Sequence, residues 1–66
     1  MSEECRNELQ LLSDLYLKHG KHGIERCLRS LEKGDLTDAK NDAAIAYQYL
    51  SVADNLNKDI ELRETD

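Results

Sequence analysis

The chain has 66 residues, of which 39% are hydrophobic, with no Pro, Phe or Trp and a formal net charge of −5. That length allows one domain at most, with a marginal core of its own, and the acidity argues against non-specific nucleic-acid binding, which depends on neutralising phosphates. No apolar run approaches the roughly 20 residues of a membrane span and Met1-Ser2-Glu3-Glu4 offers no leader, so a cytoplasmic protein without membrane contact is expected.

The first element is predicted over about 3–18. Ser2 is a suitable N-cap, and Glu3 and Glu4 face the positive end of the helix dipole. Cys5, Leu9, Leu12 and Tyr16 then recur at helical spacing, flanked by Leu11, Leu15 and Leu17. That arc is wider than one facing helix covers, which points to a subunit contact through the outer leucines.

Lys18-His19-Gly20-Lys21-His22-Gly23 is open to two readings. Each helical glycine costs roughly 1 kcal/mol relative to Ala, so the pair can end one helix near Lys18 and let another begin near Gly23. Alternatively the helix runs through, and the glycines admit a close neighbour. The break is slightly preferred, which gives two or three helices in all.

A stripe of Ile24, Cys27, Leu28 and Leu31 marks helix over 23–33. Gly34 fits the left-handed position after a helix, and Asp35 or Thr37 can cap the next one. From 36 to 63 a long amphipathic helix is predicted. Leu36, Ala39, Ala43, Ala46, Leu50, Ala53 and Ile60 form one row, interrupted by Asn57, with Ile45, Tyr49, Val52 and Leu56 beside it. The last residues, Arg63-Glu64-Thr65-Asp66, look frayed.

These elements make a single all-α domain over 1–66, an antiparallel helical hairpin turning at 34–35. A chain that reverses at Gly34 sets residues whose numbers sum to about 69 opposite each other. That register pairs Leu9 with Ile60, Leu12 with Leu56, Tyr16 with Val52 or Ala53, Gly20 with Tyr49, Gly23 with Ala46 and Ile24 with Ile45. The surplus apolar arc on both arms predicts a homodimer, in the form of a four-helix bundle.

Charge is unevenly distributed. Glu3, Glu4, Glu8 and Asp14 against Arg6 leave residues 1–17 at −3; residues 18–33 reach +3 through Lys18, Lys21, Arg26, Arg29 and Lys33 against Glu25 and Glu32; residues 34–66 return to −5. Lys18, Lys21, Arg26 and Arg29 are therefore candidates for meeting an acidic partner. Leu11, Leu15, Leu17 and Tyr47 are candidates for association, Tyr47 because aromatic anchors are enriched at interfaces.

Cys5, His19, His22 and Cys27 match no zinc spacing, and Cys5 and Cys27 on one continuous helix are roughly 33 Å apart, beyond disulfide reach. No metal, cofactor or catalytic residue is expected, and no enzyme. Reading 24–33 and 36 onward as a DNA-binding helix-turn-helix places Asp38 and Asp42 at the groove, where they repel phosphate.

Two helices joined by a tight turn in a chain of this size resemble the plasmid-encoded repressor-of-primer family, which implies a dimeric four-helix bundle. The likeness is one of layout, without a shared motif, so none of that family's RNA-binding residues is carried over. In size, acidity and lack of catalytic signature the chain also resembles accessory proteins of temperate-phage early regions. Gly34-Asp35-Leu36-x-x-Ala39 is similar to a tetratricopeptide helix junction, though one such unit cannot stand alone. The expectation is a small regulator or adaptor that acts by binding a protein. The alternative is a nucleic-acid-associated regulator using the basic segment 18–33.

Overall fold

In the computed structural model, which describes residues 2–64, two helices fold into an antiparallel hairpin: α1, Glu3–Glu32, and α2, Leu36–Glu64. The hairpin is a rod of 49 × 15 × 11 Å measured on Cα atoms. Ser2 caps α1, its hydroxyl accepting from the Cys5 backbone N–H at 3.1 Å. The chain reverses at Gly34, where φ is +77°. Gly34 N–H donates to Leu31 C=O and Asp35 N–H to Ser30 C=O, the paired bonds that close a helix around a left-handed glycine. Asp35 then caps α2, its carboxylate accepting from Asp38 N–H at 3.0 Å. Arg63 and Glu64 are helical rather than frayed; Thr65 and Asp66 lie outside the described residues.

The favoured break at Gly20–Gly23 does not occur. The segments expected at about 3–18 and 23–33 are one uninterrupted helix, and tertiary packing is the reason. Gly20 and Gly23 are both buried against α2. A Cβ on Gly23 would lie 2.9 Å from the Ala46 Cβ, and one on Gly20 would lie 2.8 Å from Leu50 Cδ2. Close approach of the two backbones compensates for the low helix propensity of glycine.

The seam follows a seven-residue repeat. On α2 the buried hydrophobics among the described residues are Ala39, Ala46, Ala53 and Ile60, each seven residues after the last. On α1 the buried Ser13, Gly20 and Gly23 alternate with the half-buried Leu9, Tyr16 and Cys27. Spacings of four and three on both helices are the pattern of side chains interlocking in an antiparallel coiled coil. Since most seam residues are small, the helices sit close together and little apolar bulk lies between them.

The register agrees closely with the turn at Gly34: Gly23 meets Ala46, as expected. Gly20 is covered by Leu50 rather than Tyr49. The Tyr49 ring instead lies near Tyr16 and His19, with centroids 5.9 and 5.4 Å away. Ile24 and Ile45 are about half exposed and belong to the flanks rather than the seam. The interrupting Asn57 has a partner of its own: the fully buried Ser13 hydroxyl donates to Asn57 Oδ1 at 2.7 Å. At the free ends Arg6 pairs with Glu64 at 2.7 Å.

Candidate docking surfaces

Because the seam consumes the small residues, the large ones are left on the flanks. Among the described residues twelve large hydrophobic side chains are between 38% and 73% exposed. Helical periodicity assigns them to separate strips.

The first strip runs along the turn half of the rod. Ile24 and Leu28 of α1 and Ala43, Tyr47 and Leu50 of α2 wall a groove of about 200 Å³, floored by Cys27 and Ala46. Toward the turn a second groove of about 340 Å³ continues from Cys27 and Ala43 to Leu31 and Leu36, with the Lys40 stem on its rim. These residues sit at heptad positions beside the seam, on the same side of both helices. Tyr47 is 73% exposed, so its ring forms a wall and does not plug the core.

Along that same side the free-end half is polar. A hollow of about 350 Å³ there is bounded by Arg6, Gln10, Asn57, Glu61 and Glu64 with Ile60 beneath. Arg6 and Glu64 neutralise each other across it.

The opposite side carries Leu12 and Leu15 on α1 and Ile45 and Val52 on α2, all exposed. On α2 this strip is bounded by Asp38 and Asp59, seven residues before Ile45 and seven after Val52. Asp59 also accepts from Arg63 at 3.2 Å. The Asp38 carboxyl titrates above the ordinary aspartate range, because a shared hydrogen bond with the Asp35 carboxyl, and repulsion from it, favour the protonated form.

The outer side of α1 is cationic. An unbroken helix brings Lys18, His22, Arg26, Arg29 and Lys33 onto one stripe at spacings of four and three, all exposed. Lys21 projects to the side of it. Lys18, Lys21, Arg26 and Arg29 make no ion pair among the described residues. Of the residues expected to mediate association, Tyr47 alone lines a groove. Leu11, Leu15 and Leu17 are exposed at 69%, 48% and 42%; Leu11 and Leu15, four residues apart, share one face of α1 and Leu17 stands on another. Spacing read on one helix placed Ile24, Leu28, Leu31 and Leu36 in apolar rows but did not single them out as surface residues. A heptad frame through Ala39, Ala46, Ala53 and Ile60 puts them on the flank.

Among the described residues no group of three or more His, Cys, Asp or Glu is placed to hold a metal ion, and no helix is long and apolar enough to cross a membrane. Cys5 and Cys27 are both free thiols. Comparison with protein-family models, with curated proteins and with solved structures returned no match.

Proposed function

We propose that this chain is a small non-enzymatic interaction protein, which self-associates and then acts as a regulator or adaptor by docking on another protein. The observation that carries this reading is the imbalance between inside and outside. Among the described residues the buried hydrophobics are three alanines and one isoleucine, whereas twelve large hydrophobics stay substantially exposed. Soluble monomers rarely carry extended apolar patches unless these are interaction sites. A hairpin so lightly packed gains most from covering its flanks with a second chain. The plasmid-regulator resemblance supports the same layout, a pair of hairpins forming a bundle.

The surfaces divide the work. Apolar flanks serve association, and the outward cationic stripe from Lys18 to Lys33 serves an acidic protein partner. Molar mass by light scattering across a concentration range tests the first step. A mass that rises from one chain to two supports the reading; a folded monomer at every concentration removes self-association from it.

The same cationic stripe favours a second reading, a nucleic-acid-associated regulator. Phosphate contacts weaken steeply with salt. Binding of a nucleic acid that weakens with added salt and with Arg26→Glu supports that reading; absence of both effects dismisses it.

A further inference from the structure

We infer that the second copy docks on the grooved side of the hairpin, antiparallel to the first, about a two-fold axis that passes at Tyr47. This rests on the self-association just proposed and deepens it by assigning the face, the orientation and the register.

A charge pattern on α2 sets the register. Lys40, Tyr47 and Asp54 stand seven residues apart on one strip, with Lys40 and Tyr47 on the walls of the two grooves. Positive, aromatic, negative is a self-complementary order. A two-fold contact is made by the same patch on both copies, so an axis at Tyr47 that reverses chain direction carries each Lys40 onto Asp54 of the other copy. The two tyrosine rings meet at the centre, where apolar anchors belong, and the ion pairs lie at the rim. Applying the same axis to α1, level with residues 22–23, sets Leu17 opposite Leu28 of the second copy.

The opposite side of the hairpin does not have this property on α2. There the order is Asp38, Ile45, Val52, Asp59, so reversing it about its middle brings aspartate onto aspartate. Two flat apolar strips are available, and charge selects the one with the grooves. Overlap centred on Tyr47 also separates the acidic free ends, which extend in opposite directions; a parallel pairing would stack Glu3, Glu4, Glu61 and Glu64 together.

Size sets the strength. With the axis at Tyr47 the two copies overlap over about residues 36–58 of α2, ~33 Å at about 1.5 Å per residue, and a width of about two helix diameters, ~20 Å, gives roughly 650 Å², against the ~800 Å² per partner of a standard interface. The contact is therefore smaller than a standard interface. Asp54 already pairs with Lys58 at 2.9 Å, which raises the lysine above its usual titration range, so Lys40 of the second copy joins an existing pair.

The test uses sedimentation equilibrium on the full chain. Lys40→Glu is expected to raise the dimer dissociation constant at least fivefold, and Lys40→Glu with Asp54→Lys to restore it to within about twofold. In a Cys5→Ser, Cys27→Ser background, Tyr47→Cys is expected to form a disulfide-linked dimer on mild oxidation. Lys40→Cys, with its two copies about 21 Å apart along the axis, is expected not to. A dimer that ignores the charge reversal, or that cross-links through Lys40→Cys as readily as through Tyr47→Cys, overturns this geometry and leaves self-association standing. A monomer at millimolar concentration overturns both.

Discussion

The turn half and the free-end half of this hairpin share one seam but differ in what flanks it. In both, small residues at a seven-residue repeat let α1 and α2 approach closely. Along one side the free-end half is then closed by polar groups that find partners within the chain: Ser13 with Asn57 and Arg6 with Glu64. Along that side the turn half carries Ile24, Leu28, Leu31, Leu36 and Tyr47, which stay exposed among the described residues. A seam that fixes the pairing of two helices thus need not supply the apolar burial that stabilises them; the flanks decide whether the hairpin is finished or awaits another surface.

The largest effect expected from this contrast comes from placing a charge in the groove. Leu28→Asp should raise the dimer dissociation constant more than a hundredfold by sedimentation, since an interfacial carboxylate must lose its water. Glu61→Ala, on the free-end half of the same side, should change it less than twofold.

The next effect separates the two seam glycines. Gly23→Ala brings a methyl to 2.9 Å from the Ala46 Cβ and 3.2 Å from its Cα, neither of which can turn away, and overpacking of that kind costs about 1–3 kcal/mol. The gain in helix propensity, about 1 kcal/mol, leaves a net loss of about 1 kcal/mol. Gly20→Ala meets the far end of the Leu50 side chain, which can move, so its net effect should be near zero. Urea denaturation at fixed protein concentration compares them; equal losses would mean that the seam is no tighter at Gly23 than at Gly20.

How much of this was legible in the sequence follows from the same glycines. The turn was readable because Gly34, Asp35 and their neighbours act locally, and the register followed from it, as Gly23 facing Ala46 shows. Continuity of α1 was not readable from propensity alone, since the compensation for Gly20 and Gly23 comes from Ala46 and Leu50 on the other helix. The cationic stripe depends on that continuity: a break would point Lys18 and Arg26 in unrelated directions. The grooves were obscured because the two apolar rows on α2 straddle the true seam. Tyr49 and Leu56 come from one row and Ala46 and Ala53 from the other, while the polar Asp42 also occupies a seam position.

A smaller effect tests the polar closure of the free-end half. Ser13→Ala removes the hydroxyl that Asn57 accepts from and should cost about 1 kcal/mol. Ser13→Ala with Asn57→Leu replaces the pair by apolar contacts and should recover most of that loss; an undiminished loss in the double variant would show that the pair is not what closes this end.

The smallest effect concerns pH. Asp38 holds its proton to higher pH in the folded chain than in the unfolded one, so its contribution to stability rises as pH falls through the carboxylate range. Asp38→Asn should flatten that part of the stability–pH curve without changing self-association, as followed by circular dichroism.

A dilution series of methyl-resolved NMR spectra shows which half of the rod associates. If the turn half carries the association surface, methyl signals of Ile24, Leu28 and Leu50 shift with concentration while those of Leu62 and Val52 stay in place. Shifts confined to Leu12, Leu15 and Val52 would put the contact on the opposite side, and no shift up to millimolar concentration would contradict the unfinished turn half altogether.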